Sequence, residues 1–282
     1  MERWPLGVFA SVDAGLGVPL SMVSALGVST VHLHTPKHES RTAAHVADIR
    51  DELATLAVKV TCMFAGFDGE SYADIPTVRK TVGLAPPATR AARTAELKAI
   101  ADFAQDLGVA AVGLHLGFVP HETGDPEYVP LVAVTRDVCD YCAANRQAVH
   151  LETGQEPADV LVRFIADVGR DNLFVNFDPA NMILYGVGEP LSALKLLGPH
   201  VRSVHCKDAV WSPQPGETWG REVPVGQGDV NFPAFLSTLA QIGYDGPLTI
   251  EREIPHEPAR QRSELASAIE LLNRLKRDII HL

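Results

Sequence analysis

Residues 148–152 read Ala148-Val149-His150-Leu151-Glu152, a short run of branched apolar side chains that closes on an acid and is followed by Thr153-Gly154. Buried parallel strands have this form. Working outward, the same form recurs in Leu173-Phe174-Val175-Asn176-Phe177-Asp178, Val201-Arg202-Ser203-Val204-His205 and Leu248-Thr249-Ile250-Glu251. Each run ends on a carboxylate or an imidazole. Side chains alternate along a strand, so Glu152 shares a face with His150, Asp178 with Asn176, His205 with Ser203 and Glu251 with Thr249. Leu151, Phe177, Val204 and Ile250 point the other way. This parity predicts a polar interior inside an apolar surface on which helices pack.

Four similar runs, 6–10, 30–34, 59–64 and 111–117, precede these. Helix-like stretches lie between or after the runs, at 94–107, 132–145, 160–168, 232–242 and 263–275. Pro233 falls in a first turn, where proline is tolerated. Strand–helix alternation implies βαβ units and a parallel sheet. Eight runs in 282 residues predict an α/β fold, a (β/α)8 TIM barrel formed as a single domain over 1–282. No Gly-x-Gly-x-x-Gly follows the first run, which argues against an open dinucleotide-binding sheet. The connections 65–89 and 207–231 are long and follow strands, which puts them on the face where barrel sites form. The second carries Gly216, Gly220, Gly226 and Gly228 and is expected to close over a ligand.

Net charge is −11 and the pI near 5.4. An acidic chain is a poor partner for nucleic acid or an anionic membrane surface, both of which demand a basic face. No apolar run approaches a membrane span, and residues 1–5 do not read as a signal peptide, so a cytoplasmic protein is expected. Cys139 and Cys142 have metal-site spacing without a second pair, and read as core thiols on one helix face.

Three carboxylates and an imidazole at four strand ends carry the chemistry. Buried together, the carboxylates repel, and a divalent cation resolves that conflict. Three oxygen donors and one nitrogen suit Mn²⁺, Mg²⁺, Co²⁺ or Zn²⁺. A single strand-end acid such as Asp178 equally reads as the cap of the next helix. Lys207 shares parity with His205 and reads either as a cation facing a substrate oxyanion or as half of an ion pair. His115 reads as a hydrogen-bonding group for a sugar hydroxyl or as a satisfied core histidine. His32 and His34 share one strand face, and His34 is the better placed for a substrate. Trp4, Phe67, Trp211 and Trp219 read as rings for a sugar's C–H face or as loop anchors.

The segments His150-Leu151-Glu152-Thr153-Gly154, Asn176-Phe177-Asp178-Pro179-Ala180-Asn181, Val204-His205-Cys206-Lys207-Asp208 and Val225-Gly226-Gln227-Gly228-Asp229-Val230-Asn231-Phe232 together resemble the xylose isomerase-like barrels. Tyr244-Asp245-Gly246-Pro247-Leu248-Thr249-Ile250-Glu251 completes the set. This sugar isomerase/epimerase group includes ketose 3-epimerases and inosose dehydratases, and the resemblance spans nearly the whole chain. It implies one divalent metal ion held by Glu152, Asp178, His205 and Glu251. It also implies that Glu152 and Glu251 act as an acid/base pair on a carbohydrate substrate, beside a metal that polarises its carbonyl. Lys207, His115, Asn181 and His34 are the expected substrate-binding residues. Two departures bear on the substrate. Asn181 stands where ketose 3-epimerases tend to carry histidine, and His205-Cys206-Lys207-Asp208 looks more like inosose dehydratases and epimerases of keto-sugars. The leading expectation is a metal-dependent sugar isomerase or epimerase, possible as a homo-oligomer, with an inosose dehydratase-like lyase as the alternative. An endonuclease IV-like repair enzyme needs further histidines, one of which Asn181 replaces, and a less acidic surface.

Overall fold

The apolar runs form eight strands of a barrel in the computed structural model, which describes residues 3–13, 17–254 and 256–280. They are β1 (Leu6–Ser11), β2 (Thr30–His34), β3 (Lys59–Phe64), β4 (Ala111–Leu114), β5 (Ala148–Glu152), β6 (Leu173–Phe177), β7 (Val201–Cys206) and β8 (Leu248–Ile250). Each pairs in parallel with the next, and β8 closes on β1 with Leu6 opposite Leu248. Closure leaves these strands no open edge for another chain. β4 is shorter than the sequence predicts: it ends at Leu114, and the chain turns out of the ladder toward Gly117, whose φ of 90° L side chains rarely adopt. Among the described residues no helix is long and apolar enough to cross a membrane.

The predicted parity holds. Leu151, Phe177, Val204 and Ile250 are buried in the apolar shell between strands and helices, where Phe177 stacks on Phe235 with centroids 6.2 Å apart. His150, Asn176, Ser203 and Thr249 are buried on the other face, and the His150 ring nitrogen Nδ1 lies 2.8 Å from the Ser203 hydroxyl. The interior is not uniform. Phe9, Cys62, Phe64 and Ala111 form a separate small apolar cluster on β1, β3 and β4, while β5 to β8 supply polar groups.

Helices extend beyond their predicted bounds. The helix expected at 94–107 spans Pro87–Asp106, and that expected at 263–275 spans Pro258–Ile280. Their added turns are largely polar and carry little of the apolar periodicity that marks a helix in sequence. Both long connections contain regular structure. The first holds helix Ile75–Thr81, capped by the Asp74 carboxylate accepting from the Thr77 N–H at 2.7 Å. In the second, Asp208–Val210 pairs antiparallel with Arg221–Val223. The Asp208 carboxylate accepts the N–H groups of Ala209, Gly226, Gly228 and Val230 at 2.8–3.3 Å. A Cβ on Gly228 would lie 2.3 Å from Asp208 Oδ1, so only glycine permits this cradle. The two ends of the connection are thus tied together through Asp208.

Glu156, beyond β5, is 4 % exposed and its Oε2 has no partner among the described residues. Burial pushes its carboxyl up from 4.5 to about 8, with the Val119 N–H opposing. The folded chain therefore holds a proton that the unfolded chain releases near 4.5. The stability contributed by this group is full below that pH and is lost as pH rises toward about 8. Glu156→Gln, neutral throughout, is expected to flatten that loss and raise Tm at alkaline pH. Thermal melts from about pH 5 to 9 check it, and identical slopes in variant and wild type would rule it out.

Candidate metal centre

Glu152 ends β5, Asp178 follows β6, His205 lies in β7 and Glu251 follows β8, so neighbouring strands deliver them to one rim. All are buried, and one potential ligand atom from each lies within 4.8 Å of the others. His205 Nδ1 is 2.8 Å from Glu152 Oε1, 3.2 Å from Glu251 Oε2 and 3.9 Å from Asp178 Oδ2. The cap reading of Asp178 holds for one of its oxygens. Oδ1 caps helix Pro179–Tyr185, accepting the Ala180 and Asn181 N–H groups at 2.8 and 3.0 Å. Oδ2 is buried and has no hydrogen-bond partner among the described residues. An acidic oxygen left unpaired in such a place is costly, and a cation is the partner that its neighbours' chemistry calls for.

The charges around it are opposed in sign. Burial, then the Glu251 and Glu152 carboxylates, push Asp178 well above the usual carboxylate range, although Lys207 pulls it down. Burial would raise Glu251 too, but Lys207, with Nζ 3.3 Å away, and His205 hold it well below that range. Lys207 is 3 % exposed; burial favours its neutral form, and Glu251 and Glu253 outweigh that. The same contest at His205, burial against Glu251 and Glu152, favours the charged ring. Two cationic side chains thus lie against the carboxylates of the cluster, and a divalent ion bound there would take over part of that neutralising role, with His205 giving up the proton on its ligating nitrogen.

His205 is oriented from behind. Its Nε2 lies 2.9 Å from Nδ1 of His32, which leaves Nδ1 of His205 toward the acids. Phe64 stacks on His32 at 5.3 Å and tilts against His205 at 4.9 Å, while Phe9 meets His205 edge-on at 5.6 Å. His32 was not separable from a core histidine in the sequence, because both readings place it on the same face of β2.

The expected substrate residues border a cavity of about 530 Å³ above the cluster. His115 Nε2 is 3.2 Å from Glu152 Oε2, and its Nδ1 is 3.0 Å from Nε2 of Gln155. Asn181 donates from Nδ2 to Glu152 Oε1 at 3.2 Å. Lys207 reaches Glu251, and also Glu253 at 3.3 Å. His34 lines the wall without touching the four clustered residues, its Nδ1 lying 2.9 Å from the Thr35 carbonyl. Gly66 makes room for that ring, since a Cβ there would lie 2.7 Å from His34 Nε2. Trp219 also lines the cavity, whereas Trp4 is buried away from it, donating to the Tyr244 carbonyl at 2.7 Å. Tyr72, Tyr185, Glu222 and Glu253 line it as well. Tyr72, Tyr185 and Glu222 have no strand-end signal in their sequence neighbourhoods, whereas Glu253 lies two residues beyond Glu251 at the end of β8.

A family model described as xylose isomerase-like TIM barrel matches residues 20–276. The crystal structure of a xylose isomerase domain protein from Planctomyces limnophilus is 55 % identical over the whole of both chains, with a TM-score of 0.98. A D-tagatose 3-epimerase-like protein has a TM-score of 0.74 at 14 % identity, covering 97 % of this chain and 98 % of its own. A probable 3-DHS dehydratase, AsbF from Bacillus anthracis, has a TM-score of 0.65 at 15 % identity, covering 90 % and 92 %. At these identities the last two establish the shared fold alone. The uncharacterized Escherichia coli (strain K12) protein YihM is 38 % identical over 87 residues, a match spanning 31 % of this chain and 26 % of YihM.

The aromatic packing behind His205 depends on Gly113, where a Cβ would lie 2.6–2.8 Å from three ring atoms of Phe64. Gly113→Ala is expected to destabilise by about 1–3 kcal/mol through overpacking. Denaturant midpoints measure this, and an unchanged midpoint would show that the Phe64 ring has room to shift.

Proposed function

We propose, from the premise that this chain belongs to the xylose isomerase-like TIM barrel family, that it is a divalent-metal-dependent isomerase or epimerase of a keto-sugar or polyol-derived ketone. The observation that carries the proposal is the buried cluster of Glu152, Asp178, His205 and Glu251, in which Asp178 Oδ2 has no hydrogen-bond partner among the described residues. Those four residues would hold the ion, with Mn²⁺ the first to test. When bound, it would supply Lewis-acid polarisation of the substrate carbonyl. The remaining work falls to the chain. Glu251, kept ionised beside Lys207 and His205, is suited to take a proton from the carbon next to that carbonyl. Glu152, approached by His115, Asn181 and His205, would deliver a proton to the substrate, completing epimerisation or a shift. The Lys207 ammonium would stabilise developing oxyanion charge. It also favours a second reading, a lyase, because the same ammonium beside Glu251 suits a departing hydroxyl group.

Protein purified without chelator is expected to carry near one equivalent of metal, by elemental analysis, and His205→Ala to lose most of it. His32→Ala, which removes the partner of Nε2 together with the ring that Phe64 stacks on, should weaken metal affinity about 10–100-fold while leaving the four clustered residues in place. Full occupancy in His205→Ala would end the assignment.

Keto-sugars incubated in D₂O should gain deuterium next to the carbonyl, and Glu152→Gln or Glu251→Gln should slow this by about 10²–10⁴-fold. An isomer of unchanged mass identifies an isomerase, and loss of water a lyase. Wild-type exchange rates in both variants would reduce the two glutamates to ligands.

A further inference from the structure

Beyond β8 the chain meets the cavity twice. Glu251 and Glu253 both line it, while Arg252 between them is buried and bonds the Glu222 and Glu264 carboxylates. Glu253 is held at both ends: its N–H donates to Glu222 Oε1 at 3.1 Å, and its Oε1 lies 3.3 Å from Lys207 Nζ. The two glutamates differ in access. The Glu251 side chain is 7 % exposed and that of Glu253 is 47 % exposed. The proton transfer proposed above gives Glu253 no task.

Charge at this point is not balanced. With His205 neutral, a divalent ion and the Lys207 ammonium would match the charges of Glu152, Asp178 and Glu251, and Arg252 is taken up by Glu222 and Glu264. Glu253 is left with a share in Lys207 alone. Among the described residues that line the cavity, Lys207 is the only lysine or arginine, and it is buried between two glutamates. A phosphate or carboxylate on the substrate would therefore meet an accessible anion and no free cation.

Tyr72 and Trp219 line the same cavity. Tyr72 is 45 % exposed, yet burial is the first cause pushing its phenol well above the usual range, so its open surface lies within a concavity. Glu70, Tyr185, Glu152 and Glu253 push it further, which places its hydroxyl in a negative field. Trp219 is half-buried and meets Tyr185 edge-on, with centroids 4.6 Å apart. An accessible carboxylate on a wall shared with aromatic rings favours an ammonium ion, through charge-assisted hydrogen bonds and the negative faces of the rings.

We propose that Glu253 selects the substrate by charge and receives an ammonium group, so that the substrate is an amino-substituted keto-sugar or cyclitol ketone rather than a sugar phosphate or sugar acid. The position of its carbonyl at the metal cluster rests on the proposed function; the ammonium site rests on Glu253 and its surroundings.

Three open-chain polyols of equal length test this: D-glucitol, 1-amino-1-deoxy-D-glucitol and D-glucitol 6-phosphate, titrated calorimetrically into the Mn²⁺-loaded protein near neutral pH. The amine is expected to bind about tenfold more tightly than D-glucitol, and the phosphate about tenfold more weakly. Glu253→Gln should bring the three affinities together while leaving Mn²⁺ stoichiometry and D-glucitol affinity unchanged. Glu253→Asp, which keeps the charge, should keep the order. An amine bound no better than D-glucitol, a phosphate bound best, an order that survives Glu253→Gln, or equal weakening of all three in that variant would each overturn the inference, as would binding of none of them to the wild type. The polyols have no carbonyl, so their order is independent of catalysis. Deuterium exchange into keto-sugars reports the catalytic reading separately. Exchange without the order would count against the ammonium site alone, and the order without exchange against the catalytic reading alone.

Discussion

Glu152, Asp178 and Glu251 bring like charges into a space where their ligand atoms and that of His205 lie within 4.8 Å of one another. Such a group does not assemble unaided, since each carboxylate raises the cost of ionising the next. Much of the surrounding structure answers that cost. Parallel strands with one shared direction put all four residues at the same rim. The helix after β6 gives Asp178 two N–H donors at its positive end. Lys207 is carried in beside Glu251, although burial opposes its charge.

The barrel interior divides along this requirement. On β1, β3 and β4 it is filled by Phe9, Phe64, Cys62 and Ala111, which make a dry wall behind His205. On β6 and β8 it holds Asn176 and Thr249, whose side-chain polar atoms lack partners among the described residues, as does His32 Nε2 on β2. Locally unsatisfied groups in an otherwise consistent fold gather at functional sites, where stability is given up for chemistry.

Much of this architecture was legible in sequence because a strand and a helix impose different periods on apolar residues. Leu151, Phe177, Val204 and Ile250 declared the outer face, and the acids and histidine after or beside them declared the inner one. Where periodicity was weak the reading lost its bounds: the helix starting at Pro87 begins in Pro-Ala-Thr-Arg, and the short helix at Ile75–Thr81 has only Ile75 and Val78 to bury. In 207–231 the glycines are visible in sequence, but the cradle they make for the Asp208 carboxylate, distant in sequence from three of the N–H groups it binds, is not.

The sequence by itself determined the barrel, its polar and apolar parities, and the four strand-end residues of the cluster, because each of these is written in local alternation and chain order. Tertiary structure decided which neighbours act on them. That His32 backs His205, and that His115 and Asn181 converge on Glu152 while Lys207 goes to Glu251, depends on curvature of the closed sheet and on loops crossing its rim. Those distances join residues tens to well over a hundred positions apart, and no local pattern in the chain encodes them.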